Sequence, residues 1–287
     1  MSNYIIYTDS ACDLSKEILD SWGVKFAELS FKFSGSDEVY RNSMIPPEEI
    51  YARMRKGETG KTSAVNIEEF KDIFRVELER GNDVLYLAFS SGLSNTYNAA
   101  RLAAEELLEE FSENRVIAVD TLCASAGQGL LLHFAVEKKT AGQGIEDVAR
   151  FVMDAREHLC HWFTVDDLKY LKAGGRVSAT TALVGTMLNI KPVLHMDDEG
   201  HLINKAKVRG RRAALSALLE KYDELAIDKT GEVYICQADC MDDAEFVKRE
   251  LGEKFGANVT LITPIGPVIG LHAGPGTIAV FFMGKTR

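Results

Sequence analysis

The chain has 287 residues, of which 46% are hydrophobic and 26% are charged, and its formal net charge is −10. This length allows two domains with a large core, and the negative charge argues against a protein that binds nucleic acid by general electrostatic attraction. No apolar run approaches the roughly 20 residues of a membrane-spanning helix, so we expect at most transient contact with a membrane.

The cysteine pattern and the absence of several sequence motifs argue against further classes of protein. Five cysteines form no C-x-x-C pair, and their odd number argues against a disulfide framework. The first residues lead directly into an apolar run at residues 5–7 rather than a secretory signal, so we expect a cytoplasmic protein with reduced thiols. The sequence has no phosphate-cradling loop, no dinucleotide-binding glycine motif and no H-E-x-x-H motif. We therefore expect no cofactor and no metal, and we assign no catalytic residue.

Buried strands alternate with helices in the first half of the chain. Apolar runs at residues 5–7, 84–89 and 116–119 predict strands of a parallel sheet that helices cover on both faces. Polar pairs stand where these strands end: Asp9-Ser10, Ser90-Ser91 and Asp120-Thr121. Because the carboxyl ends of parallel strands meet at one edge of the sheet, where ligands usually bind, we expect a crevice there.

Residues 90–96 form a polar turn between a strand and a helix. The hydroxyls of Ser91, Ser94 and Thr96 crowd this turn. A strand, a turn and a helix in this order direct free backbone N–H groups toward an anion. Serine and asparagine are also ordinary helix caps, so the stretch considered alone favours a capped helix without a ligand.

Local signals predict further elements of the first half. Asp13 is the predicted cap of a short helix after the first strand. Residues 60–66 are polar and predict a loop. Asn66 and Glu69 have the spacing of a capping box, with Asn in place of the usual Ser or Thr, and predict a helix that begins there.

The pattern changes halfway along the chain. Residues 192–208 predict an antiparallel hairpin, and the glycine- and proline-rich residues 264–276 predict a link before a last apolar strand. The predicted fold class is α/β with two domains and a ligand buried between them. Residues 1–157 form an N-terminal domain with a parallel sheet in three layers, and residues 158–287 form a C-terminal domain with a mixed sheet.

Two segments of the second half have an unusual charge pattern. Residues 179–190 are almost wholly uncharged, which is typical of a buried core helix or, alternatively, of the wall of an apolar ligand tunnel. Lys205, Lys207 and Arg209 alternate with apolar residues and give one strand a basic face. Such a face usually marks a solvated edge strand that resists aggregation.

A serine hydrolase is one functional hypothesis. Residues 92–96 are close to the nucleophile elbow of hydrolases, but Thr96 replaces its final glycine. Catalysis by Ser94 would also require a histidine base, for which His195 and His272 are the candidates.

Seven short motifs follow one another in an order that resembles a known family. They are Thr8-Asp9-Ser10, Thr62-Ser63, Ser90-Ser91-Gly92-Leu93-Ser94 with Thr96-Tyr97, Asp120-Thr121, Asp167-Leu168-Lys169-Tyr170-Leu171 with Gly174-Gly175-Arg176, Lys207-Val208-Arg209-Gly210-Arg211, and His272-Ala273-Gly274-Pro275-Gly276. Together they resemble the DegV family, the fatty-acid-binding subunits of bacterial fatty acid kinases.

The resemblance implies a DegV-like fold and a lipid-binding function in phospholipid synthesis. The chain would bind a long-chain fatty acid, and a separate ATP-binding fatty acid kinase would convert the bound acid to an acyl phosphate. In the family a threonine and a serine hold the carboxylate, and they match Thr62 and Ser94. The candidate fatty-acid-binding residues are Thr62, Ser63, Ser91, Ser94, Asn95, Thr96, Arg176 and His272, and Arg209 is the candidate contact with the kinase or with phosphate.

The physical chemistry of a fatty acid agrees with this hypothesis. A carboxylate taken from water needs several hydrogen bonds to remain charged. Burial of the tail contributes about 0.8 kcal/mol per methylene group, so the tail dominates affinity and the carboxylate sets orientation. We therefore prefer a lipid-presenting binding protein to a serine hydrolase.

Overall fold

The computed structural model describes residues 3–177 and 189–287. The first half contains β1 (Tyr4–Asp9), α1 (Lys16–Ser21), β2 (Lys25–Ala27), β3 (Ser30–Phe33), β4 (Tyr40–Arg41), α2 (Pro47–Arg55), β5 (Gly60–Ser63), α3 (Ile67–Leu78), β6 (Asp83–Ala88), α4 (Thr96–Glu110), β7 (Val116–Asp120), α5 (Ala126–Thr140) and α6 (Ile145–Ala155). The second half contains β8 (Leu159–Thr164), α7 (Lys169–Gly174), β9 (Ile190–Met196), β10 (Leu202–Arg209), α8 (Arg211–Leu225), β11 (Glu232–Gln237), α9 (Met241–Phe255), β12 (Asn258–Pro264), α10 (Pro267–Ala273) and β13 (Ile278–Met283). Most of the uncharged segment at 179–190 lies outside the described residues, so neither prediction for it is tested.

Four parallel strands form the first sheet, in the order β2-β1-β6-β7. Helices α3 and α4 contact β6, and so do helices α5 and α6. Every residue of β6 is therefore buried, which explains why residues 84–89 are apolar without alternation. The predicted parallel sheet of the first half is confirmed.

Six strands form a mixed sheet in the order β10-β9-β8-β13-β11-β12, in which β9 and β10 make the predicted antiparallel hairpin. Successive side chains of a strand point to opposite faces. The face that carries His161, Phe163 and Phe281 lines a cavity, and we call it the front face. Trp162 and Val280 lie on the back face, in a second core with apolar residues of α8 and α9. The predicted mixed sheet is confirmed.

A third, small antiparallel sheet has the order β4-β3-β5. Its strand β5 pairs with β3, so that Thr62 lies opposite Phe31. The predicted loop at 60–66 is therefore wrong for its first four residues. Gly60–Ser63 has no apolar side chain to indicate a strand, and it is extended because its backbone completes the ladder of a strand distant in sequence.

Helix beginnings were predicted with mixed success. The capping box at α3 is confirmed: the Glu69 N–H donates to Asn66 Oδ1 at 3.0 Å, and the Asn66 N–H donates to Glu69 Oε2 at 3.2 Å. The prediction that Asp13 caps α1 is wrong, because Ser15 has that role. Asp13 is instead buried, with a φ of 51°, and its carboxylate accepts hydrogen bonds from Ser125 and from the Gly266 N–H.

The predicted link at 264–276 contains a helix. Helix α10 begins at Pro267, which suits a first helical position because its fixed φ is already helical. The four residues that follow, Val268-Ile269-Gly270-Leu271, are mostly apolar, and their neighbours α2 and α7 cover them. Because residues 264–276 are rich in glycine and proline, their sequence predicted a link rather than this helix.

The parallel sheet ends at Asp120, and the mixed sheet begins at Leu159. The proposed domain boundary between residues 157 and 158 falls between these two sheets and stays a prediction. In residues 3–177 and 189–287, no helix combines the length and the apolar character required to span a bilayer.

Asp9 holds the carboxyl ends of two parallel strands together. Its side chain is completely buried, and it accepts hydrogen bonds from the Tyr86 hydroxyl at 2.6 Å and from the Phe89 N–H at 2.9 Å. Burial raises the pKa of this carboxyl, while those hydrogen bonds oppose the rise. The residue therefore shapes the end of β6, from which the chain enters the turn before α4.

We predict that Asp9→Ala lowers the free energy of unfolding by about 3 kcal/mol, because a buried hydroxyl and a buried N–H lose their acceptor. Urea denaturation followed by circular dichroism measures this loss. The control is Asp20→Ala, which removes an exposed carboxylate that pairs with Lys16 and should change stability by no more than about 0.5 kcal/mol. Similar stability of the two variants would contradict the role given to Asp9.

Candidate ligand-binding site

A cavity lies between the carboxyl ends of the parallel strands and the front face of the mixed sheet. It holds about 1040 Å³ of empty space, part of it open to solvent. Its walls are mainly aliphatic and aromatic, as shown by Phe89, Phe163, Met196, Val268, Ile269 and Phe281. A cavity of this size and composition suits a small molecule with a large apolar part.

Polar side chains from four different elements collect in one part of the cavity wall. Thr62 comes from β5, Ser94 precedes α4, Arg176 follows α7, and His272 lies in the last turn of α10. The Thr62 hydroxyl and His272 Nε2 are 2.8 Å apart, so β5 and α10 are joined there. Arg176 Nε donates to the Leu93 carbonyl at 3.3 Å and thus lies beside the turn that holds Ser94. We call these four residues the polar end.

The start of α4 contributes backbone donors to the polar end. This helix has 15 residues, and its cap residue Asn95, which also lines the cavity, makes no capping hydrogen bond with its side chain. The Ser94 hydroxyl accepts from the Thr96 N–H at 3.3 Å and lies 2.8 Å from the Thr96 hydroxyl. No acidic side chain occupies the first turn. The amides and the positive end of the helix dipole therefore favour an anion beside Ser94.

The charge at the polar end comes from Arg176. Burial and the neighbouring charge of Arg176 lower the pKa of His272 to about 4, so this histidine is neutral at neutral pH. Among the described residues that line the cavity, Arg176 is the one with a permanent positive charge. The polar end thus combines one cation, two hydroxyls and a helix start, which is a set of donors suited to a carboxylate.

The geometry does not support a serine hydrolase. His195 lies on the back face of the mixed sheet, where it stacks on Trp162 with ring centroids 4.4 Å apart. His272 pairs with Thr62, and the Ser94 hydroxyl pairs with Thr96. Neither candidate histidine is hydrogen-bonded to Ser94 in the described structure, so the serine lacks the base that activates a nucleophile.

Of the remaining candidate residues, Ser63 belongs to the described cavity wall, whereas Ser91, Thr96 and Arg209 do not. Ser63 lines the cavity beside Thr62. Ser91 is exposed, and its N–H donates to Asp120 at 3.2 Å. Thr96 is completely buried behind Ser94. Ser91, Thr96 and Arg209 are not among the described lining residues, and their predicted contacts with a ligand or phosphate stay predictions.

Sequence reasoning missed Ser125, which lines the cavity from the start of α5. It also missed His161 on β8. His161 Nε2 accepts from the Ala124 N–H at 3.3 Å, and its Nδ1 lies 3.1 Å from the Leu159 carbonyl, so the ring is held as the neutral Nδ1–H tautomer. Burial lowers the pKa of this ring well below its usual value. The strand pattern placed His161 in the sheet, but only the packing of α5 on that sheet brings it to the cavity.

Comparison with known proteins agrees with this architecture. The family model "Uncharacterised protein, DegV family" matches residues 4–285. A DegV domain-containing protein of Clostridium perfringens, CPE0026, is 38% identical over 100% of this chain and 99% of its own length.

No cluster of histidine, cysteine and acidic residues within the described ranges is arranged to hold a metal ion.

Solved structures show the same fold. A DegV protein from Thermus thermophilus, described as fatty-acid-binding, superposes with a TM-score of 0.88 at 32% identity and covers 99% of this chain and 100% of its own. A stearic acid-binding protein from Eubacterium ventriosum superposes with a TM-score of 0.89 at 28% identity, with 98% of each chain covered. From the family match, the close relative and the shared fold, we conclude that this chain belongs to the DegV family.

Proposed function

We propose that this protein binds a long-chain fatty acid, with its tail in the cavity and its carboxylate at the polar end. The observation that carries the proposal is an apolar cavity whose wall combines, at one part, the cation Arg176 and the start of helix α4. The fatty acids bound by the Thermus and Eubacterium relatives support it.

Thr62, Ser94 and the first amides of α4 are the proposed ligands of the carboxylate. Each hydroxyl already has a neighbour that can donate a hydrogen bond to its oxygen: His272 for Thr62, and Thr96 for Ser94. The proton of each hydroxyl then remains for the ligand. Hydrogen bonds to a charged oxygen contribute about 1.5–3 kcal/mol, and the helix start adds about 0.3–1 kcal/mol. The carboxylate is thus kept charged and in one orientation.

The apolar walls account for affinity. Each buried methylene group contributes about 0.8 kcal/mol before the cost of ordering the chain. A long tail therefore contributes more than all contacts of the carboxylate together. This balance favours a protein that selects its ligand by the tail and presents the carboxylate at a fixed position.

We further propose that the bound carboxylate is presented to a separate ATP-binding fatty acid kinase, which forms the acyl phosphate. The absence of a phosphate-cradling motif from the sequence agrees with a partner that brings the nucleotide. The carboxylate would lie at a part of the cavity formed by loops and element ends, where a partner could reach it.

Arg209 is proposed as a docking residue for that kinase. It is exposed at the end of the edge strand β10. Leu202 at the other end of β10 lines the cavity and bridges to Val177, next to Arg176. At 3.3 Å per residue the two ends of the strand are roughly 20 Å apart, which favours an acidic kinase surface rather than the acyl phosphate as the partner of Arg209.

The carboxylate site is tested by the double variant Thr62→Ala with Ser94→Ala. Loss of two charge-assisted hydrogen bonds, partly replaced by water, should weaken oleate binding by about 2 kcal/mol, or roughly thirtyfold in Kd. Isothermal titration of delipidated protein measures this change. The matched control is Ser112→Ala, which removes an exposed hydroxyl in the turn after α4, outside the described cavity lining, and should bind oleate like the parent. A double variant with parental affinity and a lower melting temperature would show that both hydroxyls serve only the fold.

The docking role is tested by Arg209→Ala in two assays, because docking and lipid binding should separate. We expect near-parental fatty acid content and a large loss of acyl-phosphate formation with the kinase partner, since the kinase loses a steering charge. Arg249→Ala is the control, because Arg249 is an exposed arginine on α9 whose contacts, with Glu250 and with the Phe246 ring, lie within its own helix. If Arg209→Ala matched the parent in both assays, Arg209 would be an ordinary surface residue.

A further inference from the structure

Ser125 gives the cavity wall a second polar group. Its side chain lines the cavity and is 5% exposed. The hydroxyl donates to the buried carboxylate of Asp13, and it lies 3.2 Å from Cys236 Sγ. Ser125 is the residue before α5. No hydrogen bond that the structure describes joins it to Thr62 or His272, which pair with each other. The hydrogen bonds of Ser125 thus involve a different set of residues from the polar end.

The Ser125 hydroxyl retains capacity for a further hydrogen bond. A hydroxyl has one proton and two lone pairs. With Asp13 ionised, the proton lies on the bond to its carboxylate, so at the 3.2 Å contact with Cys236 Sγ the thiol donates to one lone pair. The second lone pair is left for a donor from the cavity. His161 nearby offers none, because both of its ring nitrogens are engaged with the backbone.

Helix α10 runs from the neighbourhood of Ser125 to the polar end. Its cap residue Gly266 donates its N–H to Asp13 at 2.9 Å, beside Ser125, and His272 in its last turn holds Thr62 at 2.8 Å. Six residues at 1.5 Å each separate the backbones of Gly266 and His272 by about 9 Å along the helix axis. An extended hydrocarbon chain with bonds of about 1.5 Å and near-tetrahedral angles advances about 1.25 Å per carbon. This axial spacing equals about seven carbons, so we infer that Ser125 faces the middle of a chain whose carboxylate is at the polar end.

We propose that Ser125 is a subsite for a hydroxyl group on the acyl chain, and that the ligands of this protein include long-chain fatty acids hydroxylated near the middle of the chain. The inference rests on the proposed function, because it takes the carboxylate at the polar end as its origin. A hydroxyl opposite Ser125 donates to the free lone pair. A hydroxyl elsewhere in the apolar cavity loses its water without replacement, which is unfavourable. The position of the hydroxyl therefore decides affinity.

The backbone of Ser125 suggests the variant that tests this subsite. Its φ of 53° and ψ of −147° lie in a region that glycine adopts freely and other residues rarely do. Ser125→Gly therefore removes the hydroxyl without adding strain, whereas Ser125→Ala would keep the strain and lose the hydrogen bond that holds it. Ser112→Gly, in the exposed turn after α4 and outside the described lining, is the matched control.

The experiment is displacement of a fluorescent fatty acid by stearate, 10-hydroxystearate and 18-hydroxystearate. The readout is the ratio of Kd values for the two hydroxy acids within each protein, so a general change in affinity cancels. We expect the parent and Ser112→Gly to prefer the mid-chain isomer by about tenfold, and Ser125→Gly to lose most of that preference.

A ratio near one in the parent overturns the proposal without any variant, and so does an unchanged ratio in Ser125→Gly. In both cases stearate still displaces the probe, and the proposed function stands. If neither stearate nor a hydroxy acid displaced the probe, fatty acid binding itself would be contradicted, which is a different result.

Discussion

The buried carboxylate of Asp13 is the interaction on which the cavity depends. It binds the Ser125 hydroxyl at the start of α5 and the N–H of Gly266 before α10, and its backbone carbonyl accepts from Thr263 of β12 at 2.8 Å. Two segments distant in sequence, at Ser125 and at residues 263–266, thus meet at this one residue. Burial raises the pKa of this carboxyl to about 7, and the hydrogen bonds from Ser125 and Gly266 oppose the rise. Because Ser125 before α5 and several residues of α10 line the cavity, this contact joins two parts of the cavity wall.

Local patterns were sufficient for much of the fold. Apolar runs identified the central parallel strands, since a strand covered on both faces is apolar throughout, and the spacing of Asn66 and Glu69 identified the start of α3. Strand β5 and the burial of Asp13 could not be predicted in this way. Both depend on partners far along the chain, and their own side chains are polar.

The candidate site likewise contains residues that local motifs identify and residues whose role depends on distant partners. Thr62, Ser94, Arg176 and His272 were named from motifs, and the structure brings all four to one cavity. Ser125 was missed because its environment is made by Asp13 and Cys236, which are 112 and 111 residues away. Motifs report residues that share a short stretch, whereas an enclosed cavity is lined by side chains from many stretches.

Fatty acid binding is the central claim, and its most direct test is mass spectrometry of the gently purified protein, first in the native state and then after extraction of the bound lipid. The account predicts a protein that carries one long-chain fatty acid, because tail burial at about 0.8 kcal/mol per methylene group makes dissociation slow during purification. A protein that carried no lipid, and that took up no fatty acid when oleate was added, would contradict it.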